Sequence, residues 1–123
     1  MNRLMTSAFA LILTAGTALA APPMTAESAG GAMLTNADGM TLYTFKKDTE
    51  GVSNCAGDCA ALWPSAVAAA DDKAEGDFAM IDRADGTKQW TYKGKPLYTF
   101  VKDVAKGDVM GDGVKDVWNI ARP

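Results

Sequence analysis

Histidine is missing from all 123 residues. With it go the usual general base near neutral pH and the commonest zinc and copper ligand. Ser/His and Cys/His nucleophile systems are therefore excluded. Cysteine is scarce, with only Cys55 and Cys59. An excess of positive charge is lacking as well: 12 Lys and Arg stand against 15 Asp and Glu, a net charge of −3. That balance gives no electrostatic case for nucleic acid or anionic lipid, so no nucleic-acid partner is expected. A sustained apolar run occurs only at the N-terminus.

That run follows Met1-Asn2-Arg3 and extends from Leu4 to Leu19, ending in Ala18-Leu19-Ala20 before Ala21-Pro22. One basic residue, a short apolar stretch and small residues at the end are the marks of a secretory signal peptide over residues 1–20. The run is short and rich in Ala and Thr for a membrane span. No cysteine stands near its end for lipid attachment. The expectation is a periplasmic or secreted protein, soluble after cleavage near Ala21, with no stable membrane anchor. Residues 21–31 hold Pro, Ala, Ser and Gly with little apolar content, and read as a flexible leader.

The rest of the chain is organised by an internal repeat. Leu42-Tyr43-Thr44-Phe45-Lys46-Lys47-Asp48 recurs 55 residues later as Leu97-Tyr98-Thr99-Phe100-Val101-Lys102-Asp103, with Lys46 replaced by Val101. At the same offset Gly39 falls on Gly94, Leu62 on Val117 and Trp63 on Trp118. Two copies are too few for a solenoid, and the length supports one shared core rather than two. The expected fold is mainly β: one small domain, residues 32–123, built from two tandem hairpin-containing repeats with short helical turns. The repeats are placed at about 32–65 and 78–123.

Along the chain, Met33-Leu34-Thr35 opens a strand, and Asp38-Gly39 supplies a turn with the positive φ that tight hairpins need. In the strand that follows, alternation puts Tyr43 and Phe45 on one face and Leu42 and Thr44 on the other. Cys55 and Cys59 are four residues apart. In a helical turn such Cα atoms lie about 6 Å apart, within disulfide range. In a strand they would lie about 13 Å apart, which forbids the bridge. An exported protein favours the bridge, so a turn or helical knot is expected there, with Trp63 dropping into the core before Pro64 ends the run. Residues 65–77 are Ala-rich and acidic and read as a surface connector. Strands are expected at 78–81, 89–92 and 96–101, with turns at Arg83-Ala84-Asp85-Gly86 and Lys93-Gly94. A final strand at 117–120 carries Trp118.

Few constellations can carry chemistry. Asp48 and Asp103 are repeat mates, and convergence across a twofold axis would raise one pKa; capping two separate turns is the preferred reading. Asp108, Asp112 and Asp116 recur around two glycines but lack the spacing of a calcium loop, so a solvated acidic loop is expected. Met24, Met33, Met40, Met80 and Met110 are Cu(I)-type thioethers, with core filling the default for those on strands. Tyr43, Phe45, Trp63, Tyr98, Phe100 and Trp118 form either a shared core, which is preferred, or the lining of a cleft.

The two heptapeptides both fit Tyr-x-(Phe/Trp/Tyr)-x-x-Asp. Blocks at 37–43, 55–64, 92–98 and 107–118 accompany them. On these residues the chain resembles the bacterial secreted repeat of unknown function, a family of predicted lipoproteins, over about Leu34 to Pro123. It departs from that pattern in two places: it has no lipidated N-terminal Cys, and Asn119 stands where relatives often have His. The resemblance implies an exported protein and no particular activity.

The expected function is a non-enzymatic binding or structural module of the cell envelope, without a cofactor, whose partner is an envelope protein or a small ligand. The alternative is a periplasmic copper-binding or redox accessory protein using Cys55, Cys59 and Met residues. A hydrolase built on Asp48 and Asp103 is the least favoured reading. Whether a metal binds is left open.

Overall fold

The computed structural model describes residues 22–28 and 30–123; the signal-peptide reading of residues 1–20 lies outside them. Eight short strands run in chain order: β1 Met24–Ser28, β2 Gly31–Thr35, β3 Tyr43–Phe45, β4 Val67–Ala68, β5 Phe78–Asp82, β6 Lys88–Tyr92, β7 Lys95–Pro96 and β8 Trp118–Ile120. A single α-helical turn, α1 Asp58–Leu62, and a 3-10 turn, Val114–Asp116, complete the described secondary structure. The expected mainly β class holds, with hairpins β1–β2, β5–β6 and β6–β7.

The two copies do not fold side by side; they interlock. β3 of the first copy pairs antiparallel with β8 of the second, Tyr43 opposite Ile120 and Phe45 opposite Trp118. The same exchange runs the other way: Thr99 N–H donates to Pro64 O at 2.8 Å and Val101 N–H to Leu62 O at 3.0 Å. At the centre Tyr43 N–H donates to Tyr98 O at 2.8 Å, and Tyr98 N–H returns to Tyr43 O at 3.0 Å. Tyr43 and Tyr98 are repeat mates, so this reciprocal pair marks the pseudo-twofold axis.

A closed triangle of backbone hydrogen bonds occurs once in each half. Leu34 N–H donates to Ala121 O, Ala121 N–H to Leu42 O and Leu42 N–H to Leu34 O, at 2.8 to 3.0 Å. In the other half Trp90 donates to Ala66, Ala66 to Leu97 and Leu97 to Trp90, at 2.8 to 2.9 Å. Each triangle takes two segments from one copy and one from the other. Buried backbone groups must find partners, and here a repeat finds them only in its mate.

Two apolar clusters follow from the alternation along these strands. One gathers Met33, Tyr43, Cys55, Trp63, Tyr98, Phe100, Trp118 and Ile120. The other gathers Leu34, Leu42, Ala66, Ala68, Trp90, Leu97 and Ala121. Tyr43 and Leu42 thus point to different clusters, as the period of two requires. Trp90 Nε1 is the one buried side-chain nitrogen or oxygen without a hydrogen-bond partner among the described residues. Its ring meets Phe78 edge-on, so packing holds it rather than polarity.

Three expectations change. The leader expected over residues 21–31 contains β1, which pairs along its length with β2. Its residues are mostly exposed, so ladder hydrogen bonds hold it rather than apolar burial. Arg122 clamps the β1–β2 turn through Gly31 O at 3.2 Å and Ala32 O at 3.0 Å. The surface connector expected from residue 65 in fact begins inside the core: Ala66 and Ala68 are buried and β4 pairs with β6. Finally, the strand expected at 96–101 is regular only at Lys95–Pro96 and continues through single bridges at Tyr98 to Tyr43 and Ser65.

Interlocking predicts that neither copy folds alone. A chain cut in the exposed stretch between Ala70 and Asp77 should give two fragments that each lack native circular dichroism. Mixed, they should recover it as a one-to-one complex. A fragment that folds by itself would show that the copies are independent.

Candidate functional site

The repeat motif builds the centre of the molecule. Phe45, Trp118, Trp63 and Phe100 stack face to face, with successive ring centroids 4.2, 3.8 and 4.0 Å apart. The two tryptophans are repeat mates and lie almost parallel, at 4°. Tyr43 meets Trp63 edge-on at 5.4 Å and Tyr98 meets Trp118 edge-on at 5.1 Å. Edge-on and offset stacks suit the ring quadrupole. These rings form the shared core, and Phe45, half-buried at the end of the stack, also lines a cleft. At about 25 cal/mol per Å², a buried tryptophan of 150–250 Å² contributes about 4–6 kcal/mol as an upper estimate.

The tyrosine hydroxyls cross between copies. Tyr43 donates to Asp103 Oδ2 at 2.6 Å, and Tyr98 donates to Asp48 Oδ2 at 2.7 Å. With its proton committed, each hydroxyl accepts one bond in return. Gly111 N–H donates to Tyr43 at 3.1 Å, and Ser53 Oγ lies 2.7 Å from the Tyr98 oxygen. A Cβ on Gly111 would sit 2.7 Å from Trp63, so only glycine brings that N–H close enough. Burial, reinforced by the neighbouring carboxylate, pushes Tyr43 well above the ordinary tyrosine range, and Tyr98 likewise.

Each aspartate also closes its own loop. Asp48 Oδ1 accepts from Asn54 N–H at 2.6 Å, and Asp103 Oδ1 from Met110 N–H at 2.8 Å. Burial raises the Asp48 carboxyl, offset in part by the Tyr98 and Asn54 donors and the nearby Arg83 charge. The preferred capping role is therefore present, and the bond to the other copy's tyrosine is what the sequence left unseen.

Cys55 and Cys59 are joined in a disulfide with Cα atoms 5.3 Å apart, on the turn that leads into α1. A loop this short adds only about 2 kcal/mol through chain entropy. Its effect is local: Trp63 N–H donates to Cys59 O at 2.8 Å, so the knot sets where Trp63 enters the stack. As a disulfide, these sulfurs are not thiolate ligands. Met33 is buried, Met40 and Met80 are half-buried, and Met24 and Met110 are exposed. Among the described residues no three Cys, Asp or Glu side chains gather as metal ligands. Asp108 caps Val104 and Ala105 N–H, and Asp112 accepts from Ile120 N–H. Asp116 is exposed at a left-handed φ of 60°.

A concavity of about 940 Å³ lies beside the β3–β8 pair. β3 and β8 supply one wall through Thr44, Phe45, Asn119 and Ile120; the β6–β7 turn supplies the other through Tyr92, Lys93, Gly94, Lys95 and Pro96. Lys46, Asp48, Glu50, Asp112 and Arg122 stand around it. The turn is tight, with Lys93 at φ 51° and Gly94 at φ 84°. Two successive positive φ values match the hairpin twist and favour Asn-Gly. A lysine there costs roughly 1–2 kcal/mol of backbone strain. Of the groove residues, sequence reasoning had singled out Phe45, Asp48, Asp112 and Asn119. It gave Lys93 only a place in a turn and assigned no role to Lys95 or Arg122; the Lys46–Val101 mismatch was the one signal available.

A family model described as a secreted repeat of unknown function matches the chain twice, over residues 24–67 and 79–122. The chain belongs to that family. Each match carries one Tyr-x-Phe-x-x-Asp motif and one tryptophan of the stack. No curated protein and no solved structure matches it. Among the described residues no helix is long and apolar enough to cross a membrane.

The crossed hydroxyls predict a specific pH dependence. The folded chain keeps Tyr43 and Tyr98 protonated where the unfolded chain releases protons, above the ordinary tyrosine pKa of about 10. Their contribution is full below pH about 10 and is lost as pH rises beyond it. Chemical denaturation at several pH values should show this loss. Tyr43→Phe and Tyr98→Phe should each cost about 1–3 kcal/mol at neutral pH by leaving a carboxylate short of a donor. Each should also flatten the alkaline decline. An unchanged slope in both variants would place the alkaline sensitivity elsewhere.

Proposed function

We propose that this member of the secreted-repeat family is a non-enzymatic binding module of the bacterial cell envelope, working in the periplasm, and that its ligand enters the groove beside β3 and β8. The observation that carries this is the pairing of an interlocked core, whose motif hydroxyls and carboxylates are hydrogen-bonded, with a concavity of about 940 Å³. A site of several hundred Å³ built on firm walls is the usual form of a ligand pocket. The motif carboxylates are already committed: each accepts a tyrosine hydroxyl and a backbone N–H. Asp48 and Asp103 thus each commit two acceptor positions to the fold, which favours a binding reading over general acid–base work. The β3–β8 wall is a paired strand ladder, so that part of the shape exists before the ligand arrives and costs little ordering entropy on binding.

Filling the groove tests this. Asn119 is half-buried on β8 and lines the concavity. Asn119→Trp should leave the circular dichroism spectrum and folding transition close to the wild type. It should reduce co-sedimentation with isolated bacterial envelope at least tenfold. Equal retention of a folded variant would remove the groove from binding.

A further inference from the structure

The two copies can be compared position by position, and around the groove they differ in charge. Lys46, Lys93, Lys95 and Arg122 line it. At the same offset of 55 residues stand Val101, Asp38, Met40 and Val67. The related concavity in the other half takes Asp38, Ser65, Ala66, Val67 and Thr99, holds about 230 Å³ and has no cation in its lining. Both halves build the same core, so the three lysines are not a requirement of the fold, whereas Arg122 also clamps the β1–β2 turn. The lysines also gather on a chain whose net charge is −3.

Arg122 is occupied, donating to Ser28 and to Gly31 and Ala32 carbonyls. Lys46, Lys93 and Lys95 are exposed, and the one ion pair among the described residues joins Lys88 and Asp82 instead. Of the acidic groups present, Asp48 accepts from Tyr98 and Asn54, and Asp112 from Ile120. Glu50 leans over Gly94 and holds no hydrogen bond among those described. Lys93 Nζ lies 5.4 Å over the Tyr92 ring, and none of the three lysines has a carboxylate partner among the described residues, so three ammonium groups stand beside one carboxylate without a hydrogen bond on a concave surface. Concave walls focus such a field and raise the local concentration of counter-ions. Lys93 holds its place although the turn would be less strained with asparagine.

We propose that the groove binds a ligand carrying two or more oxyanion groups, phosphate or carboxylate, held by Lys46, Lys93 and Lys95. Phe45 provides the apolar wall for the body of that ligand. This rests on the binding-module reading and names its ligand class.

The test uses the whole exported chain at low salt, titrated in separate arms with inorganic tripolyphosphate and with citrate while backbone amide resonances are followed. At least one anion should shift amides around Lys46 and the Lys93-Gly94 turn saturably, and added salt should weaken it. The arm that binds identifies the group. Lys46→Val, Lys93→Asn and Lys95→Met, combined in one variant, place a mate residue at two positions and a turn-compatible one at the third. That variant should bind at least tenfold more weakly. No binding in either arm, equal binding by the variant, or shifts confined to surfaces away from the groove would overturn the anionic class. If Asn119→Trp still loses envelope binding in that event, the module reading stands without it. If neither assay responds, both readings fall.

Discussion

Everything in this fold hangs on the crossed tyrosine pair. Tyr43 and Tyr98 exchange backbone hydrogen bonds at the pseudo-twofold axis, and each sends its hydroxyl to the aspartate of the other copy. A buried hydroxyl without an acceptor, or a buried carboxylate without a donor, costs about 1–3 kcal/mol or more. Neither copy can therefore satisfy its own motif. The five-residue step from tyrosine to aspartate gives the chain room to leave the strand, turn, and present its carboxylate to the mate's ring. The stacked tryptophans sit against the same two tyrosines, so the polar lock and the apolar core specify one arrangement together.

What could be seen beforehand was what short-range geometry determines. Alternation put Tyr43 and Phe45 on one face, and both belong to the first core cluster or pack against it. A bridge between Cys55 and Cys59 calls for a turn or helical knot, and the bridged segment turns into α1. The pairing itself was hidden, because a motif's spacing says nothing about which copy supplies its partner. β1 was hidden because its stability comes from ladder bonds and an arginine 94 residues from Ser28. Ala66 and Ala68 were hidden because alanines in an acidic run give no apolar period, although here they lie in a core. The groove was hidden because lysines at strand ends and turns look like ordinary surface until two walls bring them together.

Duplication explains how a small exported domain can hold both a firm core and a specialised surface. The core needs the ring stack, the crossed hydroxyls and the two backbone triangles, all present in both halves. The rims are free of that demand. One has become a large groove edged by cations; the other stays small with Asp38 and Val67 at the matching positions. The cost of changing a rim residue is modest, since exposed substitutions away from caps and turns usually shift stability by under about 0.5 kcal/mol.

The interlock can be tested at its centre by native-state hydrogen exchange of the Tyr43 and Tyr98 amides. If each copy closes the other, both amides exchange only when the whole domain unfolds, with the same opening free energy and the same denaturant dependence. Exchange of one amide through a smaller, partial opening that leaves the other protected would mean the copies unfold separately, and would contradict the account.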